Sequence, residues 1–542
     1  MNTNVIIAGA GPVGMTLALE LARYGVKSIL LERNETTTRH PKMDLTNGRS
    51  MELYARLGVV EALRDVGVPR ENSFDISWIT RLAGYELFRY RYPSSTEFEA
   101  NSRAINDGSF PAEAPLRVSQ IDIEPVLKRF VDESPLIDVR FGVAFEEIVE
   151  ESSGSISVLV KNQRSGETDV LSGMFLAGCD GGGSRVRRKL GIELDGEEAV
   201  AGAFMVHFRS TDTELLQRWG GTWHYQNGAG TLIAQNDKDT WTLQAWLPPG
   251  EDGLEWKAED VLENWVGQKF NYEILQANPW AAHFVVAKQY YKGRAILAGD
   301  SAHQFIPTGG YGMNSGIADA IGLAWVLTAN VQGWGDMSLV DAYEAERRPT
   351  AWWHLEASRR HFLVRQAFTM AYMAAGDIDS DTEVASSNRS ALAEKCRMLG
   401  NAENESYGVE LGYRYDSDII LGEAGNEEID PLVYTPSTEP GRRLPHVYLE
   451  NGQSIYSLLG NNFNLLVCED SIDVSSRSLL DEALASTLAP PCEIVVINNA
   501  NAKKVLASKY VLVRPDLHIA WRSDQITSEF ASVLLKAIGK AA

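Results

Sequence analysis

The sequence predicts an α/β protein in three parts: a Rossmann-like domain that the chain enters three times, a mixed β-sheet domain inserted into it, and a small C-terminal α/β domain. Three observations lead to this prediction. A strand, a glycine turn, a helix and a second strand open the chain; two later strands end in Asp-Gly or Gly-Asp; and apolar strands alternate with helical pieces after residue 416. Such alternation is typical of α/β folds.

The opening unit covers residues 5–34. The apolar run VIIA is followed by Gly9, Gly11 and Gly14, then by a stretch of helix formers, and then by the apolar run SILL, which leads to Glu32. Glycines at this spacing allow a tight turn and let the backbone approach a pyrophosphate at the positive end of the helix dipole. An acid about 20 residues further on can accept hydrogen bonds from a ribose. The unit predicts a dinucleotide site, and by itself it fits NAD and FAD equally.

The chain then leaves this domain and returns to it twice. Alternating, aromatic-rich strands, such as TWTLQAW at 240–246, predict a different sheet between the returns. We place the Rossmann-like domain at residues 1–72, 116–190 and 286–350, the inserted β-sheet domain at 73–115 and 191–285, a helical region at 351–415, and the C-terminal domain at 416–542.

Length, charge and cysteine spacing limit the class of protein. A chain of 542 residues exceeds the size of a single hydrophobic core. The net charge of −23 argues against a nucleic-acid or anionic membrane partner. No apolar run approaches the roughly 18 residues that cross a bilayer, and the first strand starts too early for a signal peptide, so we expect a cytoplasmic protein. The four cysteines are far apart, which predicts neither a metal site nor a redox dithiol.

Two later clusters extend the predicted dinucleotide site. The stretch CDGGGSRVRR at 179–188 follows an apolar strand and contains Asp180. In AILAGDSAHQFIPTGGYGMNSGIADA at 295–320 a strand ends at Asp300, a glycine-rich loop follows, and a helix begins near Met313. An Asp at a strand end can accept a hydrogen bond from a sugar-chain hydroxyl, and backbone N–H groups entering a helix can stabilise negative charge on a ring. Only a long cofactor needs hydrogen-bonding and charge-stabilising groups of this kind at each of its two ends.

In this order the motifs resemble those of the single-component flavin aromatic hydroxylases, the class A flavoprotein monooxygenases. The resemblance covers residues 4–350 and rests on GAGPVG, on CDG before a basic helix, and on GDSAHQFIPTGGYGMNSGIADA; YEAERRP at 343–349 resembles the closing helix of the family. The stretch 411–459, with PGRRLPH at 440–446, is similar to the start of the thioredoxin-like tail domain of the phenol-hydroxylase branch, which lacks a redox dithiol.

The resemblance implies a tightly bound FAD. It places the pyrophosphate at the first glycine turn and beside Asp180, the adenosine ribose at Glu32, the ribityl chain at Asp300, and the flavin pyrimidine ring at the second glycine-rich loop. The residues implied to surround the cofactor are Gly9, Gly11, Pro12, Val13, Gly14, Glu32, Arg33, Lys42, Gln120, Asp180, Asp300, Pro307, Gly310, Gly312, Met313 and Asn314.

The resemblance also implies the reaction, as part of aromatic compound catabolism. NAD(P)H reduces the flavin, O2 adds to give a C4a-hydroperoxide, and one oxygen atom is transferred to a phenolic ring. A base that deprotonates the phenol activates the ring, which favours His or Tyr. The candidates for this base are His207, His224 and Tyr225, and the candidate substrate contacts are Gln235, Gln244, Trp246 and Pro307.

Two other enzymatic interpretations stand beside phenol hydroxylation. A flavin dehydrogenase or pyridine-nucleotide reductase would need a second GxGxxG unit or a CxxC pair, and the sequence has neither. An oxygenase of a non-phenolic polycyclic substrate, such as a polyketide quinone or an antibiotic in tailoring or inactivation, stays open. We expect a small aromatic substrate, no nucleic-acid or membrane partner, and a homodimer.

Overall fold

The computed structural model describes residues 3–422 and 428–541; positions 1, 2, 423–427 and 542 of the predicted domain ranges lie outside the described residues. The strands are β1 (Val5–Ala8), β2 (Ser28–Glu32), β3 (Leu45–Thr46), β4 (Ile76–Ile79), β5 (Glu86–Tyr90), β6 (Leu116–Arg117), β7 (Ile137–Phe141), β8 (Val143–Glu151), β9 (Ile156–Asn162), β10 (Thr168–Gly173), β11 (Phe175–Gly178), β12 (Leu194–Arg209), β13 (His224–Asn227), β14 (Gly230–Ala234), β15 (Thr240–Trp246), β16 (Glu273–Ala287), β17 (Tyr291–Lys292), β18 (Ala295–Leu297), β19 (His303–Gln304), β20 (Phe463–Val467), β21 (Cys492–Val496), β22 (Tyr510–Val513) and β23 (Ile519–Ser523).

The helices connect these strands and form most of the region from residue 311 to residue 411. They are α1 (Pro12–Arg23), α2 (Gly48–Arg56), α3 (Val60–Val66), α4 (Ser95–Ile105), α5 (Gln120–Glu133), α6 (Arg185–Leu190), α7 (Thr213–Leu216), α8 (Ala258–Val266), α9 (Tyr311–Gln332), α10 (Ser338–Ala374), α11 (Glu383–Leu399), α12 (Tyr407–Leu411), α13 (Val474–Leu484), α14 (Ala500–Leu506) and α15 (Phe530–Lys536).

A six-stranded sheet carries the glycine turn. Its order is β17-β18-β11-β1-β2-β7, and all neighbours from β18 to β7 run parallel. The strands are buried apolar runs, as expected for a parallel sheet covered by helices. Ala8 pairs with Gly178, and Gly178 pairs with Leu297, so β1, β11 and β18 end side by side. This carboxyl edge is where ligands bind in open parallel sheets.

An eight-stranded sheet collects strands from two distant parts of the chain, and its order is β19-β16-β12-β15-β14-β13-β4-β5. β4 and β5 come from residues 76–90 and pair beside β13, which confirms the prediction that the early aromatic-rich strands belong to a different sheet from the glycine unit. One face of the sheet packs against α8 in a hydrophobic cluster that includes Leu232, Leu243 and Trp265. The other face packs against α10, where the rings of Trp78 and Phe368 stack 3.9 Å apart.

The C-terminal domain is a four-stranded sheet in the order β21-β20-β22-β23, with α13, α14 and α15 around it. Two buried ion pairs join it to the rest of the chain: Arg443 binds Glu52 of α2, and Arg514 binds Glu346 of α10 at 2.5 and 2.8 Å. Because both pairs are buried, the domain is tied to the helices that border the glycine-rich loops.

In residues 3–422 and 428–541, no helix combines the length and the apolar character needed to cross a membrane.

Candidate active site and cofactor site

The first glycine turn packs three elements closely and leaves one glycine facing open space. Gly9 has φ +105°, and a Cβ there would lie 2.3 Å from the Cys179 carbonyl oxygen; a Cβ on Gly14 would lie 1.9 Å from the Gly9 oxygen. These two glycines let β1, α1 and β11 approach each other. Gly11 differs, because its backbone is extended and a Cβ there would meet no atom of the described residues within 4 Å. The space in front of α1 is therefore open beside Gly11.

Replacing Gly11 with alanine is expected to weaken FAD binding by at least about tenfold, because the methyl group occupies the space that the pyrophosphate needs. The fold should be unaffected, since the methyl group meets no protein atom. The dissociation constant of FAD and the thermal midpoint of the apoprotein check this. Gly154→Ala is the matched control, because Gly154 is exposed and also has open space around its Cβ position. Equal FAD affinity in both variants would contradict the placement of the pyrophosphate.

The second glycine-rich loop lies against the first turn. A Cβ on Gly299 or Gly316 would lie 2.9 or 2.6 Å from a methyl carbon of Val13, so the start of α1 and the start of α9 meet there. Asp300 follows in a short 3-10 turn, and it is exposed. The turn is held from behind by Asp319, which accepts a hydrogen bond from the Gly299 N–H at 2.9 Å.

The side chains of Arg347 and His303 hold the Asp319 carboxylate in place. Its carboxylate binds Arg347 Nε at 2.6 Å and His303 Nε2 at 2.7 Å, and all three side chains are buried. Burial alone would raise the pKa of Asp319, but the charges of Arg347 and His303 lower it well below its usual range. His303, which follows the Gly-Asp strand, therefore supports the turn.

Asn314 connects α9 to the segment around β3. Its Oδ1 accepts a hydrogen bond from the Asn47 N–H at 3.1 Å, and its Nδ2 donates to the Leu45 and Gly310 carbonyl oxygens at 3.1 and 2.7 Å. Gly310 has φ +68° and begins the helix. A Cβ on Gly312 would meet no atom of the described residues within 4 Å. The N-terminus of α9 thus also borders open space.

The remaining predicted cofactor residues lie around the first turn, but several of their side chains are engaged elsewhere. Glu32 Oε2 accepts a hydrogen bond from the Ala10 N–H at 3.1 Å. Gln120 donates to Glu124 at 2.8 Å, and Arg33 and Lys42 are exposed. The Asp180 carboxylate binds the N-terminal end of α6. It accepts hydrogen bonds from the Ser184 hydroxyl at 2.5 Å and from the Arg185 and Val186 N–H groups at 2.6 and 3.1 Å.

These features together fit FAD. Two helix N-termini with open glycines, Gly11 and Gly312, stand at the carboxyl edge of the parallel sheet. Glu32 lies at the end of the second strand, and the exposed carboxylate of Asp300 lies between the two helices. Such an arrangement suits a long molecule with a ribose at one end, a pyrophosphate in the middle and an electron-poor ring at the other end.

The strand register separates the candidate bases onto two faces. His224 pairs with Ile233, Ile233 with Thr242, and Thr242 with His207, so the two histidines share a face, which Gln244 and Trp246 also share. Tyr225 points to the opposite face. Its hydroxyl donates to the Gly220 carbonyl oxygen at 2.5 Å, and its ring lies in the cluster packed on α8.

Trp246 packs edge-on against Phe362 of α10, and the Gln244 side chain accepts a hydrogen bond from the Trp280 indole at 2.9 Å. Gln235 is buried just beyond the end of β14. His207 Nδ1 lies 2.9 Å from the Thr242 hydroxyl, and burial lowers its pKa to about 4, so this imidazole stays neutral. Of the three candidate bases, only His224 lines the cavity described next.

A cavity of about 860 Å³, its open mouth included, lies between the eight-stranded sheet and the second glycine-rich loop. Concave sites lined by aromatic and a few polar side chains are where small organic ligands bind. Aromatic, acidic and loop residues form its wall: Asp44, Leu45, Asn47, Gly48, Phe74, Tyr92, Pro93, Phe98, Pro115, Trp223, His224, Pro307, Gly309, Gly310, Glu403, Asn404, Ser406, Tyr407 and Glu410.

Asp44 is the functional candidate that the sequence did not single out. Its Oδ2 accepts a hydrogen bond from the Trp223 indole at 2.6 Å and lies 3.3 Å from His224 Nε2. Gln226 lies 3.4 Å from the other ring nitrogen of His224. Burial alone would raise the pKa of Asp44, but the contacts with His224 and Trp223 lower it overall. Asp44 and His224 thus form a hydrogen-bonded acid–base pair on the cavity wall.

Comparison with known proteins supports FAD as the cofactor of this site. Residues 2–358 match the family model described as an FAD binding domain, and residues 437–541 match that of the aromatic-ring hydroxylase C-terminal domain. FAD-dependent monooxygenase apdD of Emericella nidulans is 38% identical over 97% of this chain and 88% of its own. The 2,4-dichlorophenol 6-monooxygenase of Cupriavidus pinatubonensis is 27% identical over 99% of this chain and 96% of its own.

Among solved structures, RebC with bound 7-carboxy-K252c has a TM-score of 0.88 at 29% identity and covers 99% of both chains. The predicted resemblance and the predicted cofactor are confirmed: the protein is an enzyme that uses FAD, with NAD(P)H and O2 as co-substrates. The chain therefore belongs to the family of FAD-dependent monooxygenases whose FAD binding domain is combined with an aromatic-ring hydroxylase C-terminal domain.

Proposed function

We propose that the protein hydroxylates a phenol, and that Asp44 and His224 activate the ring. The observation that carries the proposal is the hydrogen-bonded Asp44–His224 pair, which lines the same aromatic cavity as Pro307, Gly309 and Gly310 of the loop implied to hold the flavin. A phenol needs a base within hydrogen-bond reach of its hydroxyl, and this pair lies on the cavity wall.

The residues of the chain would bind, orient and deprotonate the substrate. FAD, when bound, supplies the redox and oxygen chemistry. The rings of Phe74 and Trp223, which meet edge to face at 5.6 Å, would hold the substrate ring. Asp44 would take the proton of the substrate hydroxyl and pass it to His224 Nε2, which lies 3.3 Å from Asp44 Oδ2, because a carboxylate with a lowered pKa does not keep the proton. Because a phenolate ring is richer in electrons than the phenol, this transfer favours attack on an electrophilic oxygen.

A panel of phenols tests the proposal on the holoenzyme. At least one phenol is expected to stimulate NAD(P)H oxidation with little release of hydrogen peroxide, since a well-placed phenolic ring consumes the activated oxygen. NAD(P)H consumption, peroxide and hydroxylated product are measured together. If no phenol stimulated NAD(P)H oxidation, the phenolic substrate would be excluded.

A second candidate is oxygenation of a larger, polycyclic substrate. The open mouth of the cavity favours it, since a cavity that is open to solvent can receive a substrate larger than a single ring. RebC, which the whole chain resembles in fold, was solved with 7-carboxy-K252c bound. Stimulation of coupled NAD(P)H oxidation by a polycyclic aromatic compound, and by no monocyclic phenol, would favour this candidate.

We also propose five features of the protein that go beyond the fold described above. The domain bounds are those of the sequence analysis, and the C-terminal domain is thioredoxin-like. The protein acts as a homodimer and has no nucleic-acid partner, in keeping with its net charge of −23. Its location is cytoplasmic.

A further inference from the structure

The acidic side chains of the cavity point to a substrate class, and this inference rests on the proposed phenol hydroxylation. We propose that the cavity accepts phenols whose tail is neutral or cationic, that it rejects phenols with a carboxylate tail, and that Glu410 is the residue that makes this selection. Three carboxylates, Asp44, Glu403 and Glu410, line the cavity, whereas no Lys or Arg of the described residues does.

Two of the three carboxylates already have partners. Glu403 binds Arg365 through both oxygens, at 2.7 and 3.2 Å, and this contact lowers the pKa of Glu403 although burial opposes it. Asp44 is engaged by Trp223 and His224. Glu403 therefore has less to gain from a hydrogen-bond donor that a ligand brings with it, and Asp44 is the group that the proposed function assigns to the substrate hydroxyl.

Glu410 is different. It lies on α12, it is partly buried, and its carboxyl group makes no hydrogen bond or ion pair with any described residue. Burial without a partner raises its pKa to about 8. A ligand that places an ammonium or an N–H group beside Glu410 would supply the missing partner, whereas above about pH 8, where Glu410 is ionised, a carboxylate would add a second uncompensated negative charge.

The aromatic side chains of the cavity wall also favour a neutral or cationic tail over a carboxylate tail. Phe74, Tyr92, Trp223 and Tyr407 line the cavity with Glu410. The faces of aromatic rings attract cations and do not stabilise anions. A phenol with a cationic tail would thus meet favourable groups at both ends, with its hydroxyl at Asp44 and its tail near Glu410.

The titratable neighbours of Glu410 decide whether its own ionisation can be observed in a pH titration of binding. Tyr311 and Tyr407 lie near it, and burial raises the pKa of both phenol groups, so they stay neutral at ordinary pH. Glu403, Asp44 and His224 share the cavity wall. Because the Glu410 carboxyl ionises near pH 8, the affinity for an ammonium-bearing phenol is expected to increase as the pH rises through that value.

Three matched phenols test the proposal: tyramine with an ammonium tail, 4-ethylphenol with a neutral tail, and 4-hydroxyphenylacetate with a carboxylate tail. Each is titrated into the holoenzyme, and the perturbation of the flavin absorbance reports binding. Above about pH 8, where Glu410 is ionised, we expect tyramine and 4-ethylphenol to bind at least about tenfold more tightly than 4-hydroxyphenylacetate, because like charges in a buried site repel strongly.

The variant Glu410→Gln keeps the size of the side chain and removes its charge. It is expected to reduce the preference for tyramine over 4-hydroxyphenylacetate by at least about fivefold and to abolish the increase of tyramine affinity near pH 8. Glu394→Gln is the control, because Glu394 is an exposed acid of α11 that does not line the cavity.

The outcomes separate this inference from the proposed function. If 4-hydroxyphenylacetate bound as tightly as tyramine, or if Glu410→Gln left the preference unchanged, the charge selection would be wrong while phenol binding still held. If none of the three phenols perturbed the flavin, the phenolic substrate itself would be wrong, and the inference would fail with it.

Discussion

The variant Asp44→Asn is expected to lower the rate of product formation by about 100-fold or more, because the amide cannot accept the proton of the substrate hydroxyl. FAD binding should persist, since Asp44 lines the cavity and is not a residue of either open helix N-terminus. NAD(P)H oxidation should then be diverted to hydrogen peroxide. Product formation, peroxide and FAD content are measured on the same preparation.

Two variants of neighbouring residues in β13 sharpen this prediction. His224→Gln is expected to reduce product formation as well, because His224 shares the proton with Asp44. Tyr225→Phe should keep most of the rate, since the Tyr225 hydroxyl lies on the other face of the sheet and only binds the Gly220 carbonyl oxygen. A fully coupled Asp44→Asn enzyme, or a Tyr225→Phe enzyme with the larger defect, would contradict the assignment of the base.

The second large effect is expected at Arg347, behind the predicted flavin loop. Arg347→Met is expected to destabilise the protein by about 3–5 kcal/mol, because removing one partner of a buried ion pair leaves Asp319 without its main counter-charge. Arg347 also donates to the Tyr415 hydroxyl at 3.0 Å and to the Ser315 carbonyl oxygen at 3.1 Å, and these hydrogen bonds would be lost too. Thermal unfolding of the apoprotein measures the change.

The effect should depend on pH with a definite sign. The pKa of Asp319 is lowered in the folded chain, so the stability from this pair is present above the unfolded-state value of about 4 and is lost as the pH falls below it. Arg347→Met should therefore lose less stability on acidification than the wild type. Arg477→Met is the control, since the Arg477–Asp481 pair is exposed and such pairs contribute little. Equal midpoints for the two variants would contradict the importance of the buried pair.

Local patterns in the sequence predicted the elements whose shape depends on near neighbours in the chain. The glycine turn at 9–14 leads into α1, and the strand that ends before Gly299 leads to the loop and to α9. The resemblance carried by these motifs added the cofactor, which the comparisons confirm. The glycine turn at 9–14 by itself fits NAD and FAD equally. Only together with the second glycine-rich loop does it indicate FAD.

Local sequence patterns could not identify the residue that accepts the proton of the substrate. Asp44 lies in the segment KMDLTN, which has no apolar period, and its partners Trp223 and His224 are far along the chain. Glu410 lies on a five-residue helix in a region for which the sequence predicted only helices. No local spacing links such positions, because the contacts form only when the eight-stranded sheet and α12 pack around one cavity.

By itself, the sequence determined the parts of this protein that depend on short-range geometry, which are the strand–turn–helix units, and its resemblance to a known family implied the class of cofactor. Only the tertiary structure decided which side chains face the substrate. In β13 the residues His224 and Tyr225 are adjacent and equally suited to proton transfer, yet they point to opposite faces. The strand register and the packing of α8 against one face placed Tyr225 in a core and left His224 beside Asp44.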